Sequence, residues 1–414
     1  MLLSFVGSIS ANLQIPVLPN YYSNIISDGS LNATVAAGGA MYTITNSGRY
    51  FVSSNLEVDP TNSQVAVIKI SASNVLINLN AVTIYQKSSN AATGLMGIEV
   101  DTNVSNVYVT NGLISGLNVA DSTEQNAGVV IGSGASHIIF ENVMVLGCTS
   151  NTAEVSGYLL NSCNNVKLID CESSGHTNTK SVATNSTGIV NGFKMSGCYS
   201  CLLENCRANR NSSTDQHSYG FRLEASRYNK LRNCTAFNQT SNSNDSGDLA
   251  VGFYSNGGQS NWFENCAAIG NVGGTNAGSI GAGFVLGDGT AGNEKFSTVT
   301  GCRAEGNSGG TGDGYGISVA SGVSFCEIRE NTLIGNTGTN SGYGLRDQNV
   351  QASTNVIYIK NFAYANGKND GTVVNNYSVS PAPSGTFQSK QGNYNNYSLL
   401  DASLTSYYNV EIIE

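Results

Sequence analysis

NWFENCAAIGN, residues 261–271, decides the fold once it is set beside CLLENCRANRN (201–211) and YNKLRNCTAFNQ (228–239). Each stretch has an apolar run, then Asn-Cys, then a small residue two places on. A pair that returns this regularly marks either a reaction or a repeat.

The rest of the chain points to a repeat. Gly followed by apolar-x-apolar recurs at Gly97, Gly128, Gly157, Gly192, Gly220, Gly283 and Gly316. Gly252 and Gly344 keep only the first apolar position. An apolar strand ending in Asn or Asp follows in most units, at Asn80, Asn111, Asn142, Asp170, Asn205, Asn233 and Asn265. Gly301 fills the slot next, then Asn331 and Asn361, where the register can slip by one. Within each strand the period is two, not 3.6. Phe193, Phe221, Phe253 and Phe284 share one inward column. About thirty residues with two or three short strands and no helical pattern make one coil of a β-solenoid.

These motifs resemble the right-handed parallel β-helix proteins of the pectin-lyase-like superfamily, over roughly residues 42–366. The entry segment YTITNSGRYFVSSNLEV and the following VIKISASNVLINLNAVTI resemble the first coils of such proteins. The resemblance implies an all-β right-handed parallel β-helix of about ten coils with caps at both ends. We expect residues 1–50 to form an N-terminal segment or cap and 51–366 the helix. Residues 367–414 form a C-terminal cap or a partner-binding tail, and both ends are candidates for self-association. The superfamily mixes lyases, hydrolases, adhesins and viral spikes, so the fold does not choose among them.

Composition narrows the choice. Charged residues are 11% of 414, against about 25% in an average domain. Net charge is -9, and no basic stripe offers itself to nucleic acid. No apolar run is long enough to span a membrane. Residues 2–11 fit either the apolar part of a secretory signal or an opening strand.

Cys171, Cys206, Cys234, Cys266 and Cys302 all follow the Asn slot and read as a buried column of small hydrophobes. A disulfide between vertical neighbours such as Cys163 and Cys198 has poor geometry. Cys198-x-x-Cys201 has zinc spacing but no second ligand pair. Neither metal nor cofactor is expected. The Asn column reads as a ladder of amides, because Asn tolerates a left-handed bend.

Chemistry is therefore sought on outward positions. The richest set is Lys194, Arg222, Glu224 and Tyr254, with Asp215 and His217 in the preceding loop. Cations beside an aromatic ring suit an acidic sugar. Glu204, Arg232 and Glu264 read as a surface salt ladder. The resemblance implies Asp-Asp and Gly-His-Gly in a hydrolase of the polygalacturonase type, and this chain has neither; Gly175-His176-Thr177 stands alone. His137, His176 and His217 read as surface or turn residues. The sequence thus supports a non-enzymatic structural or adhesive, glycan-binding protein. That protein would be secreted or displayed on a cell or particle surface. The alternative is a lyase or hydrolase of acidic polysaccharide.

Overall fold

The computed structural model describes residues 24–32, 34–58, 65–87, 94–119, 127–151, 154–179, 188–214, 216–242, 247–275, 278–288, 294–348, 356–368, 377–379 and 394–395. Asp215 and most of the two expected end segments lie outside the described residues. What is described is a parallel β-solenoid of about ten coils. One short 3-10 turn, Asp28–Ser30, is the helical structure among the described residues.

Twelve strands stack in order from Ala40–Ile44 to Tyr377–Val379. At about 4.8 Å per strand step this face runs roughly 50 Å. A larger sheet of 22 strands takes two short strands from most coils, and every recorded pairing is parallel. Asn24–Ile26 already pairs with Gly48–Val52, and Tyr394–Asn395 with Phe362–Tyr364. The stack therefore reaches beyond residues 51–366 on both sides. No described helix is long and apolar enough to cross a membrane.

The core follows from the register. Phe193, Phe221, Phe253 and Phe284 pair in turn, each at most 1% exposed. Their ring centroids are 4.8 Å apart and nearly parallel. Each such contact adds about 0.5–1.5 kcal/mol to the burial itself. Across the interior, the glycine column faces the alanines that follow Asn-Cys. A Cβ on Gly220 would lie 2.7 Å from the Cβ of Ala236 and from the Gly252 carbonyl. The two motifs of the repeat are thus the two walls of one narrow interior.

The residues of NWFENCAAIGN divide three ways. Asn265 takes φ 52 at the bend, as do Asn205 and Asn233 at 54 and 53. Its column bonds side chain to side chain, as in Asn233 to Asn205 at 3.3 Å. Cys266 is buried, and its thiol donates to the Leu231 carbonyl. Asn261 and Asn271 are fully buried and build two further ladders. Asn271 Nδ2 donates to Asn307 Oδ1 at 2.7 Å, Asn307 to Asn336, and Asn336 to Asn366, both at 2.8 Å. These inner ladders satisfy backbone amides that the turns leave open, as where Asn307 Oδ1 accepts from Asn271 N–H.

Several sequence expectations need correction. Asn331 and Asn361 are not at the bend; Glu330 and Lys360 are, with φ 57 and 48. The slip carries Asn331 into the cysteine column, where its Oδ1 accepts from Cys302 N–H at 2.8 Å. The cysteines, by contrast, are as the column of small hydrophobes implies: all ten are free and buried, with Cys163 and Cys198 Sγ 3.6 Å apart. The salt ladder is broken, because Arg232 pairs with Glu204 while Glu264 pairs with Lys230.

His176 is wholly buried rather than on the surface. Its Nδ1 accepts from Cys148 N–H at 3.0 Å, so the neutral ring carries its proton on Nε2 and donates to Ser173 Oγ at 2.9 Å. Burial holds it down at about 3. The Ser173 hydroxyl in turn donates to the Gly192 carbonyl. This Ser-His pair is interior packing, with its donors and acceptors committed.

Two outcomes follow. Phe221→Ala removes a ring from the middle of the stack and is expected to cost about 3–5 kcal/mol in urea unfolding. Glu294 is buried among Ser255, Gly258 N–H and Ser297, and burial raises its pKa. Its protonated form is therefore the one the fold favours. That stabilisation is full below the ordinary glutamate value and is lost as pH rises through the raised one. Glu294→Gln should melt above the parent near pH 8, with the gap closing towards pH ~4.

Candidate functional site

In the strands that carry the repeat glycine, such as Ser218–Glu224, the paired register skips that glycine, which sets a bend there. The bend breaks the alternation, so Tyr219 and Arg222, three apart, both face outward. The Arg222 guanidinium lies over the Tyr219 ring, 5.0 Å from its centroid. The outer face therefore has a column before the glycine as well as those after it: Ser156, Asn191, Tyr219 and Val251.

Register puts Lys194 directly beside Arg222, and Ser196 beside Glu224. Two neighbouring cations in one column repel. Glu154, which precedes the strand Val155–Asn161, resolves this. Its Oε2 lies 2.7 Å from Lys194 Nζ and its Oε1 3.0 Å from Arg222 Nη1. Asn191 Nδ2 donates to the same Oε1. Arg222 Nη2 also holds Glu224 Oε1 at 2.5 Å. One guanidinium thus bridges two carboxylates, and the four charges cancel. Glu154 is 5% exposed and Glu224 29%, so Glu224 is the carboxylate that meets solvent.

Aromatic rings border the ion cluster. Tyr219 and Tyr254 centroids are 5.0 Å apart, and His217 lies 5.8 Å from Tyr219. Tyr254, Val251, Ala282 and Tyr315 continue as a buried apolar layer on the outer side of this sheet. Burial, then the charge of Asp288, pushes the Tyr254 phenol up to about 12. Burial, then the charge of Arg222, pushes His217 down to about 4. His217 Nδ1 accepts from Leu249 N–H at 3.1 Å, so its neutral ring presents an Nε2–H donor, not a base.

Two buried polar atoms in this cluster have no hydrogen-bond partner among the described residues: Asn191 Oδ1 and Arg222 Nε. Native structures leave few such groups, and each calls for a ligand or water. Among the described residues no group of three or more His, Cys, Asp or Glu could hold a metal ion. A concavity of about 480 Å³ at the asparagine bend of the larger sheet is lined by Asn142, Asp170, Glu172, Asn205 and Arg207. It belongs to a different wall.

The structure therefore brings together Lys194, Arg222, Glu224, Tyr254 and His217 from the sequence-predicted set. Sequence reasoning missed Glu154, Asn191 and Tyr219. Glu154 lies outside both repeat motifs, and no spacing rule reaches it. Tyr219 and Asn191 could have been found by reading the position before each repeat glycine.

The fold is a parallel β-solenoid. No model of a known protein family matches the chain, and no curated protein matches it. Solved structures of similar shape include the A-module of the Azotobacter vinelandii mannuronan C-5 epimerase AlgE6. It is 13% identical with TM-score 0.47, over 85% of this chain and 92% of that one. A variant catalytic domain of GH87 α-1,3-glucanase in complex with tetrasaccharides is 12% identical with TM-score 0.49, over 90% of this chain and 63% of that one. The periplasmic alginate epimerase AlgG is 12% identical with TM-score 0.42, over 82% and 68%. At such identities and scores, the chemistry of the site must be read from its own residues.

Removing Glu154 should leave the buried Lys194 without its counter-charge and Arg222 with Glu224 alone. Glu154→Ala is expected to cost about 3–5 kcal/mol in denaturant unfolding, and Lys194→Met in the same background to recover part of it.

Proposed function

We propose that the chain acts on a uronic-acid polysaccharide bound along the outer face of the twelve-stranded sheet, by lyase-type elimination. The observation that carries this reading is the buried Glu154–Lys194–Arg222–Glu224 cluster with its two unpartnered atoms, Asn191 Oδ1 and Arg222 Nε. A sugar hydroxyl suits the first and a carboxylate or ring oxygen the second. In this reading the substrate carboxylate replaces Glu224 on Arg222 and frees Glu224. Arg222 and Lys194 then stabilise the charge that develops as the proton alpha to the carboxylate leaves. Glu224 takes that proton, the electron pair forms the C4–C5 double bond, and the C4–oxygen bond breaks. The Tyr254 phenol or water protonates the leaving oxygen. Hydrolysis suits the groups less well. It needs a second carboxyl free to act, and both oxygens of Glu154 are engaged.

A catalytically silent glycan-binding module is the second reading, favoured by the internal cancellation of all four charges. Secretion or display on a cell or particle surface accords with a polymer ligand in either case.

A panel of uronic-acid polymers, followed by ultraviolet absorbance for unsaturated ends and by a reducing-sugar assay, separates these readings. We expect unsaturated product, with Glu224→Gln and Arg222→Lys each lowering kcat by about 100-fold or more. Activity undiminished in both variants sinks the site assignment. Binding without product leaves the second reading.

A further inference from the structure

Five successive coils each place one half-exposed aromatic ring at or beside a single turn between the twelve-stranded sheet and the larger one, four within the turn and Trp262 at the head of the strand Trp262–Glu264 of the larger sheet. The rings are Tyr199, Tyr228, Trp262, Phe296 and Phe325, between 46% and 51% exposed. A parallel ladder fixes their order, with Tyr199, Arg227, Gln259, Lys295 and Ser324 bridged in turn. The residue after each bridge is left-handed: Ser200, Tyr228, Ser260, Phe296 and Phe325, with φ from 53 to 58. Earlier coils fill this place with Asn106, His137 and Asn165.

Asparagine suits that backbone; a bulky ring costs about 1–2 kcal/mol there. The fold gains nothing by holding Tyr228, Phe296 and Phe325 in a strained conformation with their rings in water. The coil with Ser260 at the turn supplies its ring two residues later, as Trp262. Tyr199 and Tyr228 touch edge to face at 5.1 Å, and Phe296 and Phe325 stack at 5.1 Å. An exposed row of this kind marks an interaction surface.

Charge indicates what it meets. Arg227 and Lys295 alternate with the rings, both are exposed, and neither forms an ion pair with a described residue. They stand two coils apart, about 10 Å. Cations left open on a chain of net charge -9 favour an anionic partner. We propose that this ridge is a second glycan-binding site, taking a linear acidic polysaccharide lengthwise along the solenoid. Pyranose faces lie on the rings, and carboxylates of alternate sugars meet Arg227 and Lys295. A single-stranded nucleic acid would stack too, but its denser charge is repelled by the acidic molecule as a whole. The ridge shares a ligand class with the proposed function and none of its residues.

The chain carries its own reporter, since Trp262 is its single tryptophan. Full-length protein would be titrated with uronic-acid oligosaccharides, neutral glucan oligosaccharides and oligo-deoxythymidylate while Trp262 emission is followed. The expected result is a saturable change with the uronic-acid oligosaccharides. It should weaken about tenfold or more in the Tyr228→Asn, Phe296→Asn double variant. That variant should melt no lower than the parent, because asparagine relieves the backbone. Glu224→Gln should leave the titration unchanged, so a failed assay for product and a failed ridge are told apart. No saturable change, an equal response to neutral glucan, a stronger response to the oligonucleotide, or full binding by the double variant would each overturn the proposal.

Discussion

Parallel coils in register set every side chain about 4.8 Å from its counterparts above and below. Whatever occupies a column must tolerate its own copies. Phenylalanine does so by stacking, asparagine by passing a hydrogen bond along, cysteine and alanine by being small. Charge does not, which is why a chain built this way holds so little of it. The placing of Lys194 beside Arg222 therefore runs against the fold's own logic. Glu154 offsets it from below, through contacts with both cations.

Much of the architecture was legible because columns repeat. The Gly-Phe-x-Leu and Asn-Cys-x-Ala motifs are two walls of one cavity, and each appears often enough to be seen in a single sequence. NWFENCAAIGN yielded its bend at Asn265 and its buried Cys266. It did not yield Asn261 and Asn271, whose burial depends on ladders that join residues 32 and 36 positions apart. Polar residues in a polar-looking turn give no sign that they face inward. His176 was misjudged for the same reason. Asn331 and Asn361 show the limit of motif spacing: one inserted residue moves an asparagine from the bend to the core.

The candidate site was half legible. Lys194, Arg222 and Glu224 fall on the regular outward positions and could be aligned by counting. Glu154 sits where a loop returns to the sheet, and only the folded chain places it among them. Its presence changes the chemistry. Two cations that seemed open to an acidic ligand already hold two carboxylates, so in the proposed function a substrate would exchange with Glu224 rather than fill an empty charge. The site is a balanced network with one exposed, displaceable member.

The proposed elimination depends on that exchange. Its most direct measurement is a crystal structure of the chain with a uronic-acid oligosaccharide. It predicts a sugar carboxylate within hydrogen-bond distance of Arg222, Glu224 turned away from the guanidinium, and Glu154 still on Lys194. Sugar density absent from the outer face, with the Arg222–Glu224 pair intact at saturating oligosaccharide, would contradict it.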